Sequence, residues 1–550
     1  MNWNQYPRPA LQRDSFLCLN GLWDFAVCPE GMSPEYDKTI QVPFCPESKL
    51  SGIAAVFSEE NVRWYRTRFT LPEEFVKSRT LLHFGAVDQI AKVYLNGRSV
   101  GEHEGGYLPF ALDVTEALRK DNVLTVEVRD YLDRKVLPYG KQKYNRGGMW
   151  YTPVSGIWQT VWLESVPETY IEDIQVKNGA DWVEITVRGA NEGTVTVEGM
   201  EPVALQQGAC RITFSNPRNW SPEDPYLYYF TVRAGEDRVR SYFALRTVDI
   251  REVDGYPRIC LNGSPYFFHG LLDQGYWQDG IYTPESPDAF EKDILFAKKL
   301  GFNMLRKHIK IEPQLFYYAC DRLGMVVFQD MVNNGTYSFV RDTVLPTVGV
   351  CYLPDRWLHR NKKSRVAFEK AMEETVEGLR RHPCICYWTV FNEGWGQFEG
   401  SRMYRRLKAL DDSRVIDTAS GWFCGVASDV DSRHVYFRKV RLKAGRKPLV
   451  LSEFGGYSYK VEGHVFNGEK AYGYGKCATR ADFVAALHKV YVEEVAPLVP
   501  KGLCAAVYTQ LSDVEDEING LITYDRQVEK VRSEEFLEIS RGLCDRESLA

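Results

Sequence analysis

The 550-residue chain has no stretch of about 18 consecutive apolar residues, so no membrane-spanning helix is expected. Residues 1–14 lack the apolar core of a secretory signal. No basic stripe or run of Lys and Arg stands out against a net charge of −6 and a pI near 6.0, so nucleic acid is not an expected partner. Metal-ligand spacing is also missing. The 13 cysteines are odd in number and scattered, and Cys384-Ile385-Cys386 reads as strand alternation rather than a zinc knuckle. Reduced, buried cysteines and a cytoplasmic location follow as expectations. No bound metal and no cofactor is expected.

What is present is a globular composition, 44% apolar and 26% charged, with a high aromatic share of 13%. The length calls for two to four domains. Residues 1–167 carry short alternating runs such as Trp64–Phe69, Ala91–Leu95 and Val123–Val128. Asn96-Gly97 is a strong hairpin signal, and Asn20-Gly21 is a second candidate turn. This pattern predicts a jelly-roll-like β-sandwich. Residues 168–248 continue it in a smaller unit, with strands predicted at Trp182–Val187, Thr194–Val197 and Leu227–Val232, as in an immunoglobulin-like sandwich.

From residue 249 to 550 strand-like runs alternate with amphipathic helices. Helices are predicted near Pro287–Leu300, Pro313–Leu323 and Val366–Arg381. About eight strand–helix units in this span match a (β/α)₈ TIM barrel, whose active site gathers at the C-terminal strand ends. Those ends carry Arg306, Asp330, Asn392, Glu393, Glu453 and Gln510. Glu393 and Glu453 each close an apolar run and are each followed by a glycine-rich turn. A carboxylate at the end of a buried strand is costly without a partner or a task. Two of them fit glycoside hydrolysis, in which one acid protonates the leaving oxygen and the other attacks C1. The competing reading is a pair of rim salt bridges.

The whole chain resembles glycoside hydrolase family 2, the family of β-galactosidases, β-mannosidases and β-glucuronidases. Asn20–Phe25, Trp64-Tyr65-Arg66, Val93–Gly97 and Ser155–Gln159 look like its N-terminal sandwich. Thr389–Gly396 matches its acid/base strand, and Leu451–Gly455 its nucleophile strand. The resemblance implies Glu393 as acid/base and Glu453 as nucleophile. It implies Asn392 on the sugar 2-hydroxyl, and Arg306 as the cation that keeps the nucleophile ionised. Asp330 stands where the family places an acid near the terminal sugar, and His308 near a frequent histidine. His434 and Tyr436 are candidates for hydrogen bonds to sugar or to Glu453, with rim packing as the alternative. Trp395, Trp422 and Gln510 are candidate walls. The glycine- and aromatic-rich segment Tyr144–Tyr151 is a candidate loop from the sandwich to the barrel mouth, or else an ordinary sandwich corner.

The expected activity is a retaining exo-β-glycosidase that removes terminal non-reducing sugars from an oligosaccharide or glycoconjugate, with β-galactosidase-like specificity first. The Asn-x-Lys motif of β-glucuronidases is missing after the last strand, where Asn519–Arg526 stands. Asn361-Lys362-Lys363 has those letters but reads as a helix start. A glucuronidase or galacturonidase would need another cation, with Arg341, Arg356 and Arg526 as candidates. The Asn/Gly-rich turn of β-mannosidases and the Ser-His-Tyr-Pro loop of β-galactosidases are also absent. Lys307–Pro313 stands in place of the latter, and an arabinoside stays open as a substrate. A non-catalytic carbohydrate-binding protein predicts the loss of one glutamate, and both are present. Transglycosylation would use the same residues. Family members are frequently homo-oligomers, and nothing in the sequence fixes a number.

Overall fold

A computed structural model of the protein describes residues 3–75, 77–347, 350 and 353–544. Three bodies follow one another along the chain. In the first, a six-stranded antiparallel sheet faces a four-stranded one. Trp23, Phe25, Tyr65, Phe84 and Val126, on inward-facing positions of both sheets, fill the space between. Alternation in these strands is what buries one face and leaves the other to solvent. Asn96 and Gly97 adopt φ of 54° and 82° and join Ile90–Leu95 to Arg98–Glu104 in a tight hairpin. Asn20-Gly21 is not a hairpin. It connects Leu17–Cys18 to Gly21–Pro29, which belong to opposite sheets, and the Asn20 amide instead ties the chain to Trp3 and Val161.

The second body packs a three-stranded sheet on a four-stranded one around Val183, Ile185, Val195, Phe230 and Val232. A short antiparallel meander, Val248–Val253, Tyr256–Leu261 and Ser264–Pro265, then leads into the barrel.

The barrel has eight parallel strands: β1 Phe268–Asp273, β2 Met304–Lys307, β3 Val326–Asp330, β4 Ile385–Asn392, β5 Val415–Ser420, β6 Asp431–Val435, β7 Leu449–Gly455 and β8 Leu503–Thr509. Seven are buried along their whole length, as parallel strands covered on both faces must be, whereas Asp431 and Arg433 leave β6 partly open. Hydrogen-bonded ladders run unbroken from β6 through β7, β8, β1, β2, β3 and β4 to β5. Across the β5–β6 seam the contact passes through side chains, Ser420 Oγ lying 3.2 Å from Ser432 Oγ and 3.1 Å from His434 Nε2.

Helices Asp288–Lys299, Gln314–Leu323, Lys362–Leu379 and Gly400–Leu410 follow β1 to β4. Among the described residues no helix separates β5 from β6 or β6 from β7. The expected eight strand–helix units are thus eight strands with two helices missing. Over residues 439–445 the segment after β6 alternates exposed and more buried positions, a period of two that fits an extended backbone and cannot make a helical face. Asn361 is a helix cap, its side chain accepting from the backbone of Lys363 and Ser364. Eleven of the cysteines are described, and all are free thiols. No helix among the described residues is long and apolar enough to cross a membrane.

Candidate active site

Adjacent strands β2, β3 and β4 and, from across the barrel, β7 bring their ends together around one guanidinium. Arg306 on β2 is 1% exposed and spends its whole fork at the top of the barrel. Its Nε donates to Asp330 Oδ1 on β3 at 3.0 Å and its Nη2 to Asn392 Oδ1 on β4 at 2.9 Å. Its Nη1 donates to Glu453 Oε1 and to the Ser452 carbonyl on β7, both at 3.0 Å. Both Asp330 oxygens are used, because His308 Nδ1 lies 2.7 Å from Oδ2. His308 is buried, and its Asp330 contact fixes the position of the ring.

Glu393 follows β4 with φ of 53°, in the left-handed region that few side chains adopt. Backbone strain of this kind costs about 1–3 kcal/mol and tends to cluster at functional sites. It turns the carboxylate back over the barrel mouth. Gly394 continues the turn at φ 72°, and a Cβ there would lie 2.2 Å from the Phe423 ring. Gly455 after Glu453 is equally constrained, with Tyr508 only 2.4 Å from where a Cβ would stand. The glycines flanking both glutamates are therefore required by close approach and by the turns they make.

The two carboxylates meet. One oxygen of Glu393, one of Glu453 and a ring nitrogen of His434 all lie within 4.8 Å of one another. His434 on β6 stands between them, Nδ1 2.8 Å from Glu393 Oε1 and Nε2 3.6 Å from Glu453 Oε1. Tyr436 donates its hydroxyl to Glu453 Oε2, lies 3.0 Å from Thr509 Oγ1, and stacks on Tyr474 at 3.7 Å. Burial pushes the Glu453 carboxyl up. The neighbouring His434 and Arg306, with the Tyr436 hydroxyl, more than reverse this and bring it to about 2. Burial likewise acts on Asp330, and Arg306 and His308 hold it below the ordinary carboxylate range. The Glu453 side chain is 5% exposed and that of Glu393 18%, so the second is the one that solvent and a leaving group can reach.

The same Glu393–His434–Glu453 trio has the spacing of a metal site. Its donors argue for acid–base use instead. Glu453 Oε1 already faces Arg306 and Oε2 a tyrosine hydroxyl, so a cation is in place without an ion.

The remaining expected residues divide. Trp422 lines the cleft above Glu393, 5.6 Å from the His434 ring. Trp395 is no wall of the cleft. It is 3% exposed, donates to the Gly335 carbonyl at 3.3 Å, and packs edge-on against Tyr139 and Trp150 of the first domain. The reversed backbone at Glu393 and Gly394 sends its indole under the loops. Gln510 is fully buried and pinned between Gln274 and Asn519 at 2.9 and 2.8 Å. Asn519 in turn donates to Glu517, which accepts from Tyr151 of the first domain.

That last contact places the sandwich loop at the site. Gly147, Gly148, Met149 and Trp150 line one side of the cleft, whose volume is about 510 Å³. Within the same excursion Gly140 donates to Asn333 and Gln142 to Asp88, and between them Lys141 carries Tyr151 on its carbonyl. The Lys141 ammonium acts electrostatically on His308 and Glu517, and makes no hydrogen bond or ion pair among the described residues. Lys141, Glu517 and Tyr474 are site residues the sequence reading missed. They come from distant segments, and no local spacing marks them.

Comparison with known proteins bears on the family and the fold. Residues 37–191 match the family model for the galactose-binding-like domain of glycosyl hydrolase 2. Residues 165–246 match a second model described as glycosyl hydrolases family 2, and residues 254–531 match that family's TIM barrel domain. A β-galactosidase of Thermoanaerobacter pseudethanolicus is 26% identical over 418 residues, covering 68% of this chain and 51% of that protein. The β-glucuronidase of Homo sapiens is 26% identical over 410 residues, covering 65% of this chain and 59% of that one. The matches thus span little more than half the length of these relatives.

Among solved structures, an uncultured Clostridium sp. β-glucuronidase superposes with a TM-score of 0.74 at 19% identity, covering 98% of this chain and 99% of that one. A β-galacturonidase from Eisenbergiella tayi bound to galacturonate gives 0.72 at 19% identity, with the same coverage. Three family models in order along the sequence, ending on a barrel whose strand ends converge on one two-glutamate site, establish that the chain belongs to glycosyl hydrolase family 2.

Proposed function

We propose that the protein is a retaining exo-β-glycosidase, with Glu453 as nucleophile and Glu393 as acid/base. The observation that carries this is the approach of the two carboxylates to within 4.8 Å. Retaining enzymes hold the pair about 5–5.5 Å apart, whereas inverting enzymes leave about 6.5–9.5 Å for a water. The roles separate by environment. Arg306 and Tyr436 hold Glu453 ionised and aimed, as an attacking carboxylate requires. Glu393 is the more open of the two and bears on His434, a placement suited to handing a proton to the leaving oxygen and taking one from water in the second step. Asn392, oriented by Arg306, keeps its amide NH₂ for the sugar 2-hydroxyl.

For the sugar we favour a neutral hexoside of the β-galactoside type. The Asn519–Glu517 corner places a carboxylate close to Glu453, and a second negative group on the sugar would be repelled there. The arginines considered for a uronide are engaged elsewhere. Arg341 pairs with Asp342 and two carbonyls, Arg526 with Asp293 and the Tyr276 and Tyr524 carbonyls, and Arg356 is an exposed residue beside Trp357. One observation favours a uronide as the second reading: Lys141, a cation with no ion pair among the described residues that acts electrostatically on both His308 and Glu517. A panel of nitrophenyl β-galactoside, β-glucuronide, β-galacturonide, β-mannoside, β-glucoside and arabinoside decides. Preference for the galactoside supports the first reading. A uronide preference that Lys141→Met abolishes supports the second. No turnover of any β-glycoside refutes both.

A further inference from the structure

The segment that replaces the helix after β6 corrects one expectation, that no basic run stands out. Residues 438–447 hold six cations and no acid, in a chain of net charge −6. Val440 is buried, its N–H bound to Glu494 at 2.8 Å, and Leu442 and Ala444 rest on the barrel core. Gly502 leaves the space that Ala444 fills, since a Cβ there would come within 2.6 Å. With Val440, Leu442 and Ala444 turned inward, Lys439, Arg441 and Lys443 face out as an exposed row. Alternate residues of an extended chain stand about 6.5–7 Å apart. Arg446 is exposed as well. None of Arg438, Lys439, Arg441, Lys443, Arg446 and Lys447 has an ion pair or a side-chain hydrogen bond among the described residues.

An ordinary solvated charged face carries both signs, whereas this one carries a single sign and begins at the cleft. Phe437 and Arg438 line the same cavity as Glu393. The row therefore starts where a leaving group departs and leads away from it. Like charges held side by side without ion pairs cost stability, and they focus field on an incoming anion.

We infer that the leaving-group side of the cleft is built for an anionic glycan, so that the enzyme removes a terminal β-linked sugar from a carboxylated or sulfated oligosaccharide. This rests on the glycosidase reading above. The Phe437 face and the Tyr474 ring beside it offer stacking to the first leaving-group sugar. Arg438 and then Lys439, Arg441 and Lys443 meet the charges beyond it.

The test uses two substrates of whichever sugar the panel selects: the neutral 4-methylumbelliferyl β-glycoside and the β-glycoside of 8-hydroxypyrene-1,3,6-trisulfonate. Raising NaCl from 20 to 300 mM should lower kcat/KM on the trisulfonate by about tenfold or more and leave the neutral substrate within about twofold. The variant K439Q/R441Q/K443Q/R446Q, which keeps every residue of the proposed chemistry, should reproduce that loss at 20 mM NaCl. Its undiminished rate on the neutral substrate would show it to be folded. Tetragalacturonate and a chondroitin sulfate tetrasaccharide serve as competitors. Inhibition by one or both in the wild type, lost in the variant, supports the proposal and tells carboxylate from sulfate. The proposal is overturned if salt affects both substrates alike, if the variant keeps the wild-type rate on the trisulfonate, or if a thymidine dodecanucleotide competes as well as the tetrasaccharides. Failure of the wild type to cleave the neutral substrate refutes the glycosidase reading itself.

Discussion

At the top of the barrel Glu453 is brought to about 2, whereas inside the N-terminal sandwich Glu47 and Asp130 are pushed up to about 7 and Asp88 well above its ordinary range. All four have lost their water, and each group has a buried arginine at hand. The arginines differ in how their donors are spent. Arg306 gives its N–H groups to Asp330, Glu453 and Asn392 and to one carbonyl. Arg63 gives its own to the Asn61 and Phe57 carbonyls, so Glu47 must rely on Ser155 and Asp88 on Gln142. A buried carboxylate thus stays ionised where the cation's hydrogen bonds point at it, and takes up a proton where they are used by the backbone. The barrel's arrangement suits chemistry. That of the sandwich suits a packed scaffold.

The largest expected effect comes from removing the ionised group itself. Glu453→Gln should lower kcat on an aryl β-glycoside by about 10⁴-fold or more with the fold intact by circular dichroism. Activity near wild type would end the comparison. Arg306→Leu leaves Glu453 and Asp330 buried without their cation. It should cost about 3–5 kcal/mol of stability in urea unfolding, along with most of the activity. A loss below about 1 kcal/mol would mean that the fork is incidental.

The two regions should also titrate with opposite sign. Burial pushes Asp130 up to about 7 in the folded chain, from an ordinary value near 3.8. Between about pH 4 and 7 the native state keeps a proton that the unfolded chain has released. Stability therefore falls as pH rises through that window, by up to about 1.4 kcal/mol per unit, and levels off above it. Asp130→Asn should remove Asp130's share of this slope and leave that of Glu47, as read from urea midpoints at pH 5 and 8. Glu453 is depressed from 4.5 to about 2, so its contribution is present above about pH 4.5 and is lost as pH falls towards 2. The smallest effect expected is none. Because Arg306 already supplies the positive charge, dialysis against EDTA should leave the rate unchanged, and loss restored by a divalent ion would assign the Glu393–His434–Glu453 trio to a metal.

Much of this was legible in the sequence. Period-two alternation marked the sandwiches, and apolar runs ending in Arg306, Asp330, Asn392 and Glu453 marked strands that meet in one place, because a polar end on a buried strand is intelligible only at a barrel mouth. Trp395 misled because its direction depends on the positive φ of Glu393 and Gly394, which composition does not reveal. Lys141 and Glu517 lie 376 positions apart and come under each other's electrostatic influence only through domain packing. The stack of Tyr436 on Tyr474 joins two loops with no shared pattern. The cationic row at 438–447 was in plain view, but its weight comes from the cleft beside it.

The central claim is that Glu453 attacks C1 while Glu393 serves the leaving group. Proton NMR of the first sugar released from an aryl β-glycoside, read before mutarotation, tests it most directly. The β-anomer appearing first, with the α-anomer growing in later, is the result that two displacements at 4.8 Å or less require. An initial α-anomer would mean a single displacement by water and would contradict the assignment of Glu453.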